Sequence, residues 1–392
     1  MMSKIGLITL YKENYGSILQ CFATKSFIES LGNECIVLDS PFKPEILTLS
    51  QKILRKAKTG WKMILHPSLL HSFIFKRKYP KYLTHNSYEK MKSFIDASIK
   101  PVIVKKGALN DLNWLNGFKN FIVGSDQVWK ISGAINPFRF LDFAPINKRI
   151  TLAVSFGTSN IPSCNKKQVC QLLSPYKYIS VREESSVELV KKCSKAKICR
   201  IADPTLIYNA EEWRTFAIIT KIAPRKYVLV HFLNEPNKVA IDSINWLSKH
   251  LNLDVVAVGY KYASFKKMNS LLFVDGGPRE YLSLIDNAEY ILTDSFHSTL
   301  FSINFNKRFF IFHRQYSVTI QTCRITDLLK RFDMGNRLID DLDVLRKIYL
   351  DELPQNSRVF IEKERAIVRN YIQKSISGEI PRCFFDLKEV SL

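Results

Sequence analysis

The sequence predicts an α/β protein in which helices cover doubly wound parallel sheets, and three observations carry this prediction. Short apolar runs such as 5–10, 121–123, 227–232 and 290–293 are typical of buried strands. Longer amphipathic segments alternate with them, which favours parallel strands joined by helical crossovers. Small polar or charged residues follow several of the runs immediately.

The stretch 288–314 shows this pattern most clearly. It is predicted to form a strand, a helix and a second strand at 290–293, 296–305 and 309–312. Asp294 and Ser295 precede the helix, and their side-chain oxygens can accept hydrogen bonds from its free N–H groups. Asn306 is predicted to end the helix in a left-handed conformation.

Ligands of doubly wound sheets bind beyond the carboxyl ends of strands, where helix N-termini point. Ser295, His297, Ser298 and Thr299 are therefore predicted to form an anion site. A histidine can also move protons near neutral pH. The alternative is that His297 only helps to cap the helix, and the residues alone favour the two interpretations about equally.

The N-terminal segment is predicted to begin with a strand at 5–10 and a polar loop at 11–17. A helix at 17–31, ended by Gly32, and a second strand at 35–38 follow. It lacks the GxGxxG pattern of dinucleotide-binding folds, so no NAD site is predicted. The loop that contains Asn14 and Tyr15 lies on the side of the sheet where sites form.

Two further strand ends carry candidate functional groups. The strand 121–123 is followed by Gly124, which allows close approach of the backbone, and by Asp126, which could act as an acid or base. An ordinary capping role is the alternative for Asp126. The strand 178–181 delivers Arg182, whose guanidinium can bind a carboxylate or phosphate with two hydrogen bonds. Its alternative is an ion pair with Glu183 or Glu184.

The remaining elements follow the same alternation. Further strands are predicted at 151–156 and 254–258, and further helices at 186–192, 211–216, 238–251, 278–287 and 325–332, with a helical, charged tail at 341–375. The region of about 44–106 is rich in lysine and aromatic residues and is predicted as a helical, basic insertion with helical patches at 51–65 and 88–95. Its surface could face acidic headgroups or an acceptor substrate, but a solvated covering of helices is the favoured interpretation.

The charge of the chain is its most unusual property. Lys and Arg number 58 against 36 Asp and Glu, which gives a net charge of +22 and predicts attraction of anions. No nucleic-acid-binding motif accompanies this charge, so no nucleic-acid partner is predicted. The sequence shows neither a signal peptide nor an apolar segment of about 18 residues. The expected location is cytoplasmic, with peripheral binding at the inner membrane face as an option.

The eight cysteines contain no CxxC pair, and no histidine lies near the pairs 164/170 and 193/199. They are predicted to be reduced thiols rather than zinc ligands or a disulfide framework. No other metal-ligand cluster is evident, so neither a metal nor a separate cofactor is predicted.

Considered together, these loops resemble the conserved blocks of the polysaccharide pyruvyl transferase family. The matching blocks are NYGSILQ at 14–20, FIVGSDQVW at 121–129, SFG at 155–157, ISVREES at 179–185, DPT at 203–205 and the SFH block at 288–309. They occur in the family's order and span about residues 5–330. This chain departs from the family pattern at Ser298, where Gly is usual, and at Arg308, where Pro is common.

The resemblance implies two Rossmann-like domains facing a cleft, as in GT-B glycosyltransferases. The domains would comprise residues 1–215, including the insertion, and 216–335, which contain the SFH helix N-terminus. Residues 336–392 would form a helical tail that could pack back on the first domain.

The resemblance also implies transfer of a pyruvyl group from phosphoenolpyruvate to hydroxyls of a sugar in a surface-polysaccharide precursor. His297 would act as acid or base, or as a phosphate ligand, and Asp126, the second catalytic candidate, would also orient the acceptor. The donor's phosphate and carboxylate would be bound by Arg182, Ser295 and Ser298. The acceptor, either lipid-linked at the inner membrane face or a soluble nucleotide sugar, would be bound by Asn14, Tyr15 and Gln127.

Two other functions are compatible with the sequence. A GT-B glycosyltransferase that uses a nucleotide sugar would share the architecture and could hold a diphosphate at the same helix N-terminus. A non-catalytic protein that binds sugars or anions could keep the fold without the reaction.

Overall fold

The computed structural model describes residues 2–12, 14–40, 82–131, 134–219, 226–268, 270–314 and 322–384. Two parallel sheets organise this part of the chain, one in each half. The alternation of buried strands and crossover helices that the sequence predicts is confirmed, and with it the α/β class with two Rossmann-like halves.

The first sheet has five strands, all parallel. In spatial order they are Val102–Ile103, Glu34–Asp39, Lys4–Ile8, Asn120–Val123 and Arg149–Thr151. A small parallel pair, Tyr178–Val181 with Lys197–Arg200, adjoins this sheet through a bridge between Val154 and Val181.

The second sheet has six strands, again all parallel. Their spatial order is Leu271–Val274, Asp254–Val258, Tyr227–His231, Tyr290–Thr293, Arg308–Phe312 and Leu338–Ile339. An antiparallel pair, Tyr82–Leu83 with Tyr260–Lys261, connects the two halves.

Helices cover both sheets. The α-helices are Tyr15–Ser30, His85–Phe94, Leu112–Asn116, Ser163–Leu173, Glu184–Lys191, Ala210–Phe216, Lys238–Leu251, Pro278–Asn287, Phe296–Asn304, Thr322–Arg331, Leu342–Ile348 and Ser357–Ser377. A π-helical turn spans Ile95–Ile99, and 3-10 turns span Lys106–Asn110, Pro137–Phe140, Ile146–Lys148, Pro204–Ile207, Ser264–Lys267, Gly335–Arg337 and Arg382–Phe384. We call Phe296–Asn304 the site helix and Ser357–Ser377 the terminal helix. In the part of the chain described, no helix combines the length and apolar character needed to cross a membrane.

Several sequence predictions need correction. The strand predicted at 151–156 ends at Thr151, and the predicted helical tail consists of two separate helices. The strands Lys197–Arg200 and Leu271–Val274 were not predicted. Of the predicted insertion, residues 44–81, including the patch at 51–65, lie outside the described residues, whereas the patch at 88–95 falls on the helix His85–Phe94 and its π-helical continuation.

The prediction that all cysteines are reduced is wrong for Cys170 and Cys193, which form a disulfide. Their 23-residue separation carries no local signal, but the fold brings Cys170 of the helix Ser163–Leu173 and Cys193, just beyond the helix Glu184–Lys191, to a Cα–Cα distance of 4.4 Å. The Sγ atoms of Cys199 and Cys383 also approach each other, at 2.9 Å.

Besides the antiparallel pair, Trp213 and the terminal helix join the halves. Trp213 is fully buried, donates from Nε1 to the Thr205 carbonyl at 2.9 Å and packs edge-on against Phe301 of the site helix. The terminal helix contributes Arg365, which donates to the Leu206 carbonyl at 3.0 Å and to Asn304 Oδ1 at 2.8 Å. The domain boundaries proposed from the sequence, at 215/216 and 335/336, remain predictions.

We expect Trp213→Ala to lower the free energy of unfolding by about 3–5 kcal/mol, because it empties a fully buried indole site between the halves. Urea unfolding monitored by circular dichroism measures the change. Trp246→Ala is the matched control, since Trp246 is only partly buried and stacks on His250 at the surface. Equal losses in the two variants would contradict this role of Trp213.

Candidate functional site

The strand order reverses once in each sheet, and the two reversals face one cavity. In the first sheet the reversal lies between Lys4–Ile8 and Asn120–Val123, and in the second between Tyr227–His231 and Tyr290–Thr293. Doubly wound sheets bind ligands at such points. The cavity has a volume of about 330 Å³ and is lined by Leu10, Asn14, Asp126, Gln127, Lys130, Leu233, Asn234, Tyr260, Ser295, Phe296, His297, Arg314 and Arg324.

A larger cavity, of about 720 Å³, lies between the terminal helix and residues 379–383. The ends of the strands in the two large sheets do not contribute to its lining. We therefore place the candidate site in the smaller, more polar cavity between the halves.

His297 lies in the first turn of the site helix, whose N-cap is Ser295. The residue is 4% exposed and lines the cavity. Gly16 packs directly against the ring, because a Cβ atom at that position would lie 2.2 Å from the imidazole Cγ. On its buried side, Nε2 lies 3.5 Å from Asp203 Oδ2.

Asp126 faces the same cavity from the first half. Its backbone has a left-handed φ of 57°, which aspartate tolerates better than most residues. Oδ2 accepts from the Ser17 hydroxyl at 2.6 Å, and Oδ1 accepts from the Gln127 N–H at 2.8 Å. Burial would raise the pKa of Asp126, but the nearby His297, Arg182 and Arg324 outweigh it and lower that pKa. Asp126 is therefore a carboxylate at neutral pH, available as a base.

Three cationic side chains complete the cavity wall: Lys130, Arg314 and Arg324. We assign the Gln127 carboxamide with its oxygen toward Arg324, because the guanidinium offers only donors there, and the oxygen then accepts from Nη1 at 2.8 Å. Burial, followed by the proximity of Arg182, lowers the pKa of Arg324 to about 10, so it stays charged at neutral pH. With the N-terminus of the site helix, these groups make the cavity strongly favourable for anions.

Asp294 does not cap the site helix as predicted. Its carboxylate instead accepts from the backbone N–H groups of Leu233 and Asn234, at 2.6 and 3.1 Å. It also pairs with Arg314, whose Nε lies 3.0 Å from Oδ2. Ser295 alone caps the site helix. The Asp294 carboxylate instead orders the loop at Leu233 and orients Arg314.

Five of the nine residues predicted for the site line the cavity, namely Asn14, Asp126, Gln127, Ser295 and His297, whereas Thr299 is fully buried and donates from its hydroxyl to the Ser295 carbonyl at 2.9 Å. Asn14 also accepts from the Ser17 N–H at 3.0 Å and so caps the helix Tyr15–Ser30. The structure thus brings together groups that lie far apart in the sequence. What they bind stays a prediction.

Tyr15 and Ser298 are not among the residues that line the cavity, and a ligand-binding role for them stays a prediction. Tyr15 is buried, donates from its hydroxyl to the Gly276 carbonyl at 2.7 Å and stacks on Tyr281. Ser298 is fully buried, and its Oγ bonds to His231 Nδ1 at 2.7 Å and to the Tyr281 hydroxyl at 2.8 Å. Each side chain follows a cavity residue in sequence, but the helical turn directs it toward the protein interior.

Arg182 also lies behind the cavity wall rather than on it. Nε contacts Glu183 at 2.8 Å, Nη1 contacts Asp203 at 2.5 Å, and the guanidinium lies over the Phe296 ring. Burial would lower the pKa of Arg182, but Glu183, Asp203 and Asp126 outweigh it and raise that pKa. The guanidinium is thus a fixed buried cation that supports the site, and the alternative of an ion pair with Glu183 is confirmed.

Sequence reasoning gave no functional role to Lys130, Asp203, Arg314 and Arg324. Lys130 directly follows the GSDQVW block, and Arg314 follows a buried strand, so position relative to a strand could have indicated both. Arg324 carries no such signal, because it lies in the first turn of a helix. Asp203 belongs to the DPT block at 203–205, which by itself does not indicate a contact with His297.

Comparisons with known proteins agree with this architecture. The family model described as polysaccharide pyruvyl transferase matches residues 14–316. No curated protein matches the chain in sequence.

Solved structures share the fold at low sequence identity. A UDP-N-acetylglucosamine 2-epimerase from Rickettsia bellii has a TM-score of 0.51 and 12% identity, with 96% of each chain covered. A protein from Listeria monocytogenes assigned to the same enzyme class has a TM-score of 0.52 and 10% identity, again with 96% of each chain covered. At these identities the likeness concerns the two-domain, GT-B-like fold alone.

We expect Gly16→Ala to destabilise the protein by about 1–3 kcal/mol, because its methyl group would overlap the His297 ring. Urea unfolding measures the loss. Gly107→Ala serves as the control, since no heavy atom lies within 4 Å of the Cβ position there. A Gly16→Ala protein as stable as this control would contradict the close packing of Gly16 on the imidazole.

Stability should also depend on pH through Asp203. Burial would raise its pKa, but His297 and Arg182 outweigh it and hold the pKa of Asp203 well below its usual range. A lowered folded-state pKa gives stability that is present above the unfolded value of about 4 and is lost as pH falls further. We expect the gap in unfolding free energy between wild type and Asp203→Asn to shrink below about pH 4. Urea titrations at neutral and acidic pH measure it, and a gap that grows on acidification would contradict the assignment.

Proposed function

This chain belongs to the polysaccharide pyruvyl transferase family, and from that premise we propose that it transfers a pyruvyl group from phosphoenolpyruvate to two hydroxyls of a sugar. The product would be a pyruvate ketal on a precursor of a surface polysaccharide. The observation that supports the proposal best is the concentration of Lys130, Arg314 and Arg324 around His297 at a helix N-terminus.

The donor carries a phosphate and a carboxylate, so it requires several positive groups in a small volume. Arg314 and Arg324 have planar guanidiniums that suit both oxyanions, and Lys130 adds a point charge. The N-terminus of the site helix, capped by Ser295, adds a partial positive charge to these groups. These groups would also stabilise the phosphate as it leaves.

The reaction also requires two proton transfers. The methylene carbon of the donor gains a proton and becomes a methyl group, and the two attacking hydroxyls together lose two protons. One of these protons balances the methyl group, and the other leaves with phosphate. His297 would donate to the carbon, and Asp126, already a carboxylate, would accept from a hydroxyl. No step in this scheme needs a metal or a separate cofactor.

Asn14 and Gln127 lie beside Asp126 on the wall from the first half, which suits them to orient the acceptor. The acceptor itself is proposed by class only, as a saccharide that is lipid-linked or carried by a nucleotide. We propose that the reaction takes place in the cytoplasm, with the membrane-bound form of the acceptor reached at the inner face.

The test begins with calorimetric titration of phosphoenolpyruvate into wild type, Arg324→Gln and Arg346→Gln. Arg324 lines the cavity, whereas Arg346 pairs with Asp343 on an exposed helix and serves as the matched control. We expect about a tenfold or greater loss of affinity in Arg324→Gln alone, because a charge-assisted contact is worth about 1.5–3 kcal/mol. Binding of a nucleoside diphosphate in place of phosphoenolpyruvate would instead favour glycosyl transfer.

Turnover is followed by phosphate release with a panel of sugar acceptors. His297→Ala should lower kcat by about 10²–10⁴-fold, since it removes the proposed proton donor. His250→Ala is the control, because His250 stacks on Trp246 at the protein surface. Unchanged turnover in His297→Ala would overturn the assignment of the proton donor, and donor binding without phosphate release by any acceptor would favour a non-catalytic role.

A further inference from the structure

We infer that Asp203 is a positioning residue that holds the His297 imidazole for proton transfer across the boundary between the two halves. The inference rests on the proposed function, because it concerns the group assigned there as proton donor. Asp203 lies outside the cavity lining and would act only through His297.

The carboxylate of Asp203 is rigidly held. Asp203 is the N-cap of the turn Pro204–Ile207, and its Oδ1 accepts from the Thr205 N–H at 3.0 Å and from the Thr205 hydroxyl at 2.9 Å. The residue is 1% exposed, so water does not compete for these bonds. Oδ1 is thereby fixed, and the direction of Oδ2 follows from it.

Oδ2 is directed at the groups behind the cavity. It accepts from Arg182 Nη1 at 2.5 Å and from the Ser125 hydroxyl at 3.1 Å, and it lies 3.5 Å from His297 Nε2. The Nε2 atom is buried and has no hydrogen-bond partner. The separation is somewhat long for a hydrogen bond, but such contacts in ligand-free sites commonly tighten when substrate binds.

The balance of charge around His297 favours this pairing. The buried carboxylates Asp126, Glu183 and Asp203 surround the guanidinium of Arg182, and Asp203 is the one that also approaches His297 Nε2. One guanidinium is thus shared among three carboxylates, and an N–H donated from His297 Nε2 would give Asp203 a further partner. Buried charges are costly when unpaired, which gives this arrangement a physical reason.

The pairing also fixes which nitrogen is available for catalysis. With Nε2 turned to Asp203 and buried, Nδ1 is the nitrogen left for proton transfer to a ligand. A carboxylate that orients an imidazole in this way selects its tautomer and stabilises its protonated form. Because Asp203 and His297 belong to different halves, the alignment exists only when the halves are in contact.

A purely structural role is the competing explanation, since Asp203 also caps a turn and neutralises Arg182. The two explanations predict different effects of an Asp203 substitution on the NMR signals of the imidazole and on turnover. A structural role predicts lower stability with unchanged imidazole signals and an unchanged rate of turnover by the folded fraction. A positioning role predicts a changed imidazole and a slower chemical step at nearly constant donor affinity.

The test compares Asp203→Asn with Asp286→Asn in ¹⁵N-histidine-labelled protein without any ligand. Asp286 is the matched control because it also pairs with an arginine, Arg214, at 2.8 Å, but on a surface helix. The chain has seven histidines, and the signal of His297 is assigned by its loss in His297→Gln. We expect Asp203→Asn to change the tautomer pattern of that signal and Asp286→Asn to leave it unchanged.

Kinetics provide the second measurement. We expect Asp203→Asn to lower kcat by about 10²–10⁴-fold while KM for phosphoenolpyruvate changes less than about threefold. Unchanged imidazole signals, or wild-type kcat in folded Asp203→Asn, would overturn the inference.

Should Asp203→Asn fail to fold, Asp203→Glu keeps the charge but displaces the carboxylate, and unchanged signals in that variant would overturn the inference equally. If wild type releases no phosphate from phosphoenolpyruvate, the proposed function fails, whereas the ligand-free spectra still decide whether Asp203 orients His297.

Discussion

The candidate site depends on one buried electrostatic arrangement, in which Arg182 lies between the carboxylates of Asp203, Glu183 and Asp126. None of these side chains is appreciably exposed, so each charge requires a fixed partner. Asp203 then contacts His297 from the other half of the molecule. This cluster therefore supports both Asp126, which faces the cavity, and His297 opposite it.

The two sheets explain why these groups meet. Parallel strands deliver their carboxyl ends to one edge, and the reversal of strand order opens a crevice there. Each sheet has one such reversal, and the loops that follow these strands supply most of the cavity wall. Trp213 and the terminal helix hold the edges opposite each other, because both contact residues of the two halves.

Of the basic residues behind the net charge of +22, those that line the cavity are the ones to which we assign a specific role. Most basic residues contribute a general field that attracts anions. Lys130, Arg314 and Arg324 differ, because these three cations line the cavity beside the N-terminus of the site helix, where Asp126 on the wall and Asp294 paired with Arg314 offset only part of their charge. The proposed donor has two anionic groups, and this local excess of positive charge suits it better than a neutral sugar.

The sequence by itself determined the α/β class, most element positions and five of the cavity residues. Helices such as Lys238–Leu251 and strands such as Tyr290–Thr293 follow from local periodicity, and the left-handed stops at Gly32 and Asn306 follow from residue type. Only the tertiary structure decided that Arg182 supports the site from behind while Arg314 and Arg324 line it. It alone paired Cys170 with Cys193 and Asp203 with His297. The physical reason is that periodicity and capping act within a few residues, whereas the direction of a buried charge is set by partners far away in the chain.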